Sequence, residues 1–332
     1  MDRLKIDAVE LHAIRELLDE FEEDVDRLDQ EEVLHRATVL AHRLPTRIRL
    51  HLDAFRREWL SGVLCISGYE VDQERLGSTP AHWRDGSERS HARREELFLL
   101  LCGSLLGDPF SWATQQNGRL IHDVVPIAGH EHEQLGSSSE ALLTWHTEDA
   151  FHPMRGDFLA FACLRNPYAA ATTVGYADAL DLPDEARAVL SQERFIIHPD
   201  ESHLAKNNSV PGPFEDIENL QRNPDPVAVL FGDPNRPYIR ADPYFMAVRE
   251  GDDEAGEALD VLVRQMDEVM FDLKLESGDF CFLDNFRVVH GRKPFKARHD
   301  GTDRWLKRLN LTSDIRKFRA AHTSADVRTA VG

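Results

Sequence analysis

The sequence predicts a mainly β protein with helical decoration, in the α+β class, and three observations carry that prediction. From about Leu120 onward, short runs rich in β-branched and aromatic residues alternate with turn residues. The first hundred residues instead repeat their apolar positions at helical spacing. One long amphipathic stretch, near residues 254–275, interrupts the later strands. Many short strands in series point to an antiparallel sandwich or barrel.

Ile14, Leu17, Leu18, Phe21 and Val25 recur three and four residues apart, as do Val33, Leu34, Ala37 and Leu40, so each set marks a helix face. GVLCISGYEV, residues 62–71, reads as a strand. A further helix is expected over residues 87–106, with Ser87 as its N-cap and Gly107 as its stop. The runs LIHDVVPI, ALLTWHTE, FLAFACL, ATTVGY, RFIIH, VAVLFG, PYIRAD, DFCFLDNFRVVHG and WLKRLNLT then supply the strands. In the interrupting helix, Leu259, Leu262, Met266, Val269 or Met270, and Leu273 form one apolar stripe. Residues 199–226 are polar, rich in Pro, Asn and Asp, and without periodicity. A loop of that length is expected to be a functional lid.

With 332 residues, 42% of them hydrophobic, and no Gly/Ser- or Pro-rich linker, the chain is expected to form one domain. Residues 1–110 would be its helical part and 111–320 its β core. The 59 acidic and 39 basic side chains give a net charge of −20, which argues against a nucleic-acid partner. Such a surface keeps a protein soluble and leans toward a cationic small molecule. Cys65, Cys102, Cys163 and Cys281 are widely spaced in apolar surroundings, as expected of reduced thiols in a cytoplasmic protein. The N-terminus lacks the apolar centre of a signal peptide, and no run approaches the roughly 18–20 apolar residues that span a membrane. Oligomeric state leaves no mark on the sequence.

Trp145-His146-Thr147-Glu148-Asp149 is the most informative pentapeptide. In an extended chain, residues i and i+2 point to one side, so His146 and Glu148 present an imidazole and a carboxylate to one point. A third ligand is needed, and His290, at the end of the apolar run FCFLDNFRVVHGR, is the best candidate. Two histidines and one carboxylate on one face of a metal leave open positions for a chelating cosubstrate and O2, as in non-haem Fe(II) oxygenases. Zinc hydrolases use similar sets, and an isolated HxE arises by chance among 16 histidines and 59 acids. Arg304 and Arg308 follow His290 in GTDRWLKRLNL, a stretch that reads as a strand in which an i,i+4 pair shares a face. Inward guanidiniums need anions, and carboxylates are their natural partners; the alternative is salt bridges to the chain's own acids.

The stretches WHTEDAFHPMRGDFLAFACLRNP and DNFRVVHGRKPFKARHDGTDRWLKRLNLT resemble, in motif and separation, a known family. It is the clavaminate synthase-like branch of the 2-oxoglutarate oxygenases, and within it the amino-acid β-hydroxylases of natural-product biosynthesis. The resemblance spans about residues 115–319 and implies a double-stranded β-helix, or jelly roll. It also implies Fe(II) and O2 as cofactors and 2-oxoglutarate as cosubstrate. His146, Glu148 and His290 match the iron ligands, and Arg304 matches the arginine that pairs with the distal carboxylate of 2-oxoglutarate. Thr173 fits the hydroxyl that helps bind this cosubstrate, with Thr172 as its competitor. Arg308 matches the holder of the substrate carboxylate and reaches toward the cosubstrate, while Gln115, Ser137 and Glu148 sit where relatives hold the amino-acid head group. Halogenating cousins replace the metal carboxylate by a small residue; Glu148 therefore implies hydroxylation.

The implied reaction hydroxylates C3, or alternatively C4, of a free polar or basic L-amino acid, releasing succinate and CO2. Asp242 in YIRADPYF stands near the side-chain recognition position, although Asp-Pro is also a common turn. The family's arginine hydroxylases carry a second acid two residues later, where this chain has Tyr244. Asp200 and Glu201 can supply that charge from the lid. Arginine and lysine thus stand ahead of asparagine. A carrier-bound or peptide amino acid, a zinc hydrolase and a non-catalytic jelly-roll binding protein are the alternatives.

Overall fold

Alternation along the strand Phe158–Arg165 sets the layering of the molecule. Phe158, Ala160 and Ala162 pack toward the N-terminal helices, and Leu159, Phe161 and Cys163 pack toward a second sheet. The computed structural model describes residues 1–23, 25–85, 90–208, 214–319 and 328–330. Among these, one eight-stranded sheet runs in the order Asp2–Lys5, Val63–Ser67, Phe280–Asp284, Phe158–Arg165, Trp305–Thr312, Asp108–Trp112 and Thr329–Ala330; Ile121–Val124 also pairs with Trp305–Thr312. A four-stranded sheet runs Phe271–Leu273, Thr172–Tyr176, Val288–Arg292 and Leu143–His146. The two sheets face each other as a jelly roll and close the cavity described below between them.

The outer faces are covered by helices. Ala8–Glu22 opens with a capping box, in which Asp7 accepts from the Val9 and Glu10 amides and Glu10 accepts from the Asp7 amide. With Glu31–Ala41, Thr46–Arg56 and Arg93–Gly103 it buries the back of the larger sheet. Asp253–Val269 covers the smaller sheet through Ala255, Ala258, Leu262 and Met266. It approaches so closely that a Cβ on Gly175 would lie 2.4 Å from the Met266 sulfur.

Several expectations need correction. The helix expected to 275 ends at Val269, where the chain turns extended, and Phe271–Leu273 pairs with Thr172–Val174 as an edge strand. Leu273 accordingly faces the core between the sheets rather than continuing the helical stripe. The helix expected over 87–106 is observed as Arg93–Gly103, and Ser87 lies outside the described residues. The segment 199–226 is not structureless: it contains the 3-10 turns Glu201–His203 and Ala205–Asn207 and the helix Phe214–Arg222, which buries Ile217. Residues 209–213 of that segment lie outside the described residues. The strand Asp2–Lys5, the helix Thr46–Arg56 and the strand Asp108–Trp112 had no clear pattern of their own. All four cysteines are free and buried, and no helix among the described residues is long and apolar enough to cross a membrane.

The strand Trp305–Thr312 carries charge on both faces. Leu306 and Arg308 face the cavity, together with Arg304 just before the strand, while Lys307 points to the other side between Glu96 at 2.7 Å and Asp123 at 2.6 Å. Burial alone would push the Lys307 amine down, but Asp123 and Glu96 outweigh it and raise it. Asp123 also accepts from Trp305 Nε1 at 2.6 Å. Lys307→Met should remove the buried cation between Glu96 and Asp123, leaving Asp123 with Arg119 at 3.6 Å, and cost about 3 kcal/mol or more. Chemical denaturation would measure that loss, and an unchanged midpoint would contradict it.

Candidate active site

His290 and His146 occupy directly paired positions on neighbouring antiparallel strands. Their sequence neighbours Val289 and Trp145 pack outward beneath Asp253–Val269, so strand alternation turns both imidazoles inward. Their ring centroids lie 4.5 Å apart. His146 Nδ1 donates to the Thr144 carbonyl at 2.8 Å, which leaves Nε2 with its lone pair facing the cavity. Glu148 Oε2 is 3.9 Å from His146 Nε2 and 3.4 Å from His290 Nε2. One ligand atom from each of the three residues lies within 4.8 Å of the others. Glu148 has left the strand, and Asn285 holds its loop: its Oδ1 accepts from the Glu148 amide at 2.7 Å, and its Nδ2 donates to the carbonyls of Glu148 and Gly156.

Burial would raise the Glu148 carboxyl, but Arg308, His290 and His146 outweigh it and hold the group well below the usual carboxylate range. Arg308 Nη1 donates to Glu148 Oε1, and Arg308 Nη2 donates to Gln115 Oε1 at 3.1 Å. Arg308 Nη2 also reaches His122 Nδ1 at 2.7 Å; a guanidinium only donates, so that nitrogen accepts. Arg304 is buried beside Thr172, donating to its hydroxyl at 3.3 Å, and its Nε has no partner. Burial pushes Arg304 down to about 10 and, with repulsion from Arg304, pushes the neighbouring Arg292 down to about 9. Asp242 and Asp200 line the cavity as well. Burial raises the Asp242 carboxyl to about 6, against the pull of His146 and with added repulsion from Asp200. The cavity thus gathers arginines and carboxylates of its own around the three donors.

The structure brings His146, Glu148, His290, Arg304, Arg308, Asp200 and Asp242 to one cavity. Gln115 stands just behind, bonded to Arg308. Asp242 is at once a turn residue, accepting from the Tyr244 amide at 3.2 Å, and a wall of the cavity. Tyr244 lies on the rim and is largely exposed, whereas Glu201 turns away to pair with Lys206 at 3.0 Å. Thr173 is a correction. It pairs with Gly291, and its hydroxyl points to the face opposite His290, while Thr172 shares the face of Arg292 and meets Arg304. Ser137 lines an adjoining cavity together with Gln115 and Arg308, its hydroxyl meeting His130 Nδ1 at 2.9 Å, and its neighbour Ser138 accepts from Arg292. Arg292 escaped the sequence reading although the i+2 rule, applied to His290, leads to it. Asn285, His122 and His203 gave no comparable signal.

A family profile described as taurine catabolism dioxygenase TauD, TfdA family, matches residues 51–310. The chain belongs to the TauD/TfdA dioxygenase family. It is 44% identical to an L-ornithine/L-arginine 3-hydroxylase of Catenulispora acidiphila, covering 99% of each chain. It is also 44% identical to an enduracididine beta-hydroxylase of Streptomyces hygroscopicus, covering 95% of this chain and 96% of the relative. The crystal structure of the non-heme iron oxygenase OrfP with Fe, succinate and (3S)-hydroxy-L-Arg superposes with a TM-score of 0.95 at 42% identity, covering 99% of this chain and 100% of that one. OrfP has also been crystallised with Fe and alpha-ketoglutaric acid.

For a member of the TauD/TfdA family, the residues present fit both groups. Two imidazole nitrogens and one carboxylate oxygen on a single face suit Fe(II) and leave part of its coordination sphere free. The buried, unpartnered Nε of Arg304 calls for an anion such as the distal carboxylate of 2-oxoglutarate. Removing the brace on the carboxylate ligand tests the first assignment. Asn285→Ala should weaken Fe(II) or Co(II) binding by about tenfold to a hundredfold in a direct titration; undiminished affinity would show that Glu148 needs no such support.

Proposed function

We propose that this protein hydroxylates a free basic L-amino acid, arginine or ornithine first, at C3, using Fe(II), O2 and 2-oxoglutarate. The observation that carries the proposal is a single cavity that holds the three metal donors together with the cations Arg304 and Arg308 and the carboxylates Asp242 and Asp200. The sequence relatives that act on ornithine, arginine and enduracididine support the same reading. His146, Glu148 and His290 would hold the iron, which would activate O2, the oxidant whose two oxygen atoms end up one in succinate, formed with loss of CO2 from 2-oxoglutarate, and one in the hydroxylated substrate.

The protein's own part is placement. Arg304 and the Thr172 hydroxyl hold the far carboxylate of 2-oxoglutarate, with Thr172 taking the role first given to Thr173. Arg308, kept in place by Glu148, Gln115 and His122, offers its guanidinium to the substrate α-carboxylate. Gln115 and the Glu148 carboxylate lie nearby for the α-ammonium. Asp242 and Asp200 then receive the cationic side chain, which in a closed cavity must be paired. Hydroxylation at C3 follows the ornithine/arginine relative, which is a 3-hydroxylase. The buried free thiols fit a reducing, cytoplasmic setting.

Iron-loaded protein given 2-oxoglutarate, O2 and a panel of free L-amino acids should form succinate and a product heavier by one oxygen with arginine or ornithine. His146→Ala and Glu148→Ala should abolish that coupled turnover, and activity surviving in both would remove the metal assignment. Turnover with no free amino acid would redirect the proposal to a carrier-bound or peptide substrate. The Asp242 carboxyl loses its charge as pH falls through about 6, so KM for arginine should rise below that pH. Asp242→Asn should lower kcat/KM for arginine by about tenfold to a hundredfold and flatten this pH response. An unchanged kcat/KM would reduce Asp242 to a turn residue.

A further inference from the structure

The segment 200–208 is tied to the metal-bearing loop through one buried side chain. His203 is fully buried, and both of its ring nitrogens are bonded. Nε2 lies 3.0 Å from Asp149 Oδ1, and Nδ1 lies 2.8 Å from the Thr114 hydroxyl. A carboxylate only accepts, so the His203 Nε2–H donates to Asp149. Asp149 directly follows Glu148 and gathers two further donors, Trp112 Nε1 at 2.6 Å and Gln115 Nε2 at 3.3 Å. Its backbone sits at φ +51°, a left-handed conformation that a non-glycine residue keeps only where its surroundings impose it.

Gln115 closes the circuit. Its Nε2 also donates to the Ser202 hydroxyl at 2.7 Å, while its Oε1 accepts from Arg308. Two neighbouring residues of the segment, Ser202 and His203, therefore contact the pair that sets Glu148 and Arg308 in place. Asn208 adds a bond from its Nδ2 to the Thr114 carbonyl at 2.6 Å. The same docking carries Asp200 to the cavity wall. Arg304 and Thr172 share none of these bonds.

We propose that His203 is a positioning residue: it docks segment 200–208 onto Asp149, and the amino-acid head-group site of Gln115 and Arg308 is complete only in that docked state. Cosubstrate binding at Arg304 does not depend on it. The head-group part rests on the substrate reading above; the docking itself does not. Bland packing is the competing account, since the ring also meets Phe151 and Trp112 at centroid distances of 4.8 and 5.9 Å.

The variants separate the two accounts. His203→Phe keeps an aromatic ring and loses both hydrogen bonds, whereas His203→Gln keeps a donor within reach of Asp149. Trypsin should cut after the exposed Lys206 about tenfold faster or more in His203→Phe than in wild type, without any ligand present. Calorimetric Kd for L-arginine in the metal-free protein, and KM for L-arginine in the loaded enzyme, should each rise about tenfold or more. KM for 2-oxoglutarate should stay within about twofold, as for an independent site. His203→Gln should recover most of each effect. Equal cleavage and equal Kd in His203→Phe and wild type would overturn the proposal, and so would a loss in His203→Phe that His203→Gln fails to restore. If His203→Phe does not fold, as read by circular dichroism, His203→Asn takes its place, because its amide faces Thr114 but falls short of Asp149. Wild type that binds no L-arginine would overturn the substrate reading instead, and the cleavage comparison would still decide the docking.

Discussion

A carboxylate buried between two β-sheets has to be surrounded by cations or donors, and the environment of Glu148 is organised around that requirement. Unpaired, such a charge costs several kcal/mol in a low-dielectric interior. Here Arg308 and two imidazoles face it, and Asn285 bonds its backbone on both sides. Each partner comes from a different element: Arg308 from Trp305–Thr312, His290 from Val288–Arg292, His146 from Leu143–His146. The ion pair therefore ties the larger sheet to the smaller one at the point where a metal would sit.

The strand that supplies Arg308 carries the same requirement to its other face. Lys307 is buried among Glu96 and Asp123, so the central strand of the larger sheet bears compensated charge on both sides. That is unusual for a strand whose remaining side chains are almost all buried. The pairing on the back holds the strand flat against the helices, and the pairing on the front holds the arginines at the cavity. Neither pairing is visible in the overall charge of −20, which describes the surface and says little about the interior.

Much of this was legible in the chain. Nearly every β-prone run from Leu120 onward became a strand, because antiparallel strands advertise themselves by alternation and turn residues. The i+2 rule put His146 and Glu148 on one side and i+4 did the same for Arg304 and Arg308, although Glu148 lies just past the strand end, where Asn285 holds it. The choice between Thr172 and Thr173 could not be made that way. One residue of register turns a side chain from one face of a sheet to the other, and the register was set by the pairing of Val174 with His290. His203 was invisible because its meaning lies in Asp149, 54 residues earlier in the chain.

The sequence by itself determined the fold class, the strand runs and the chemical character of the metal ligands, since each follows from side-chain type and short-range periodicity. Tertiary structure alone decided which hydroxyl meets Arg304, that Arg292 lies close to Arg304, and that Asp242 lies close to Asp200. Those facts depend on contacts between residues far apart in the chain. Such contacts are set by how two sheets stack and where a connecting segment docks, and neither leaves a local trace.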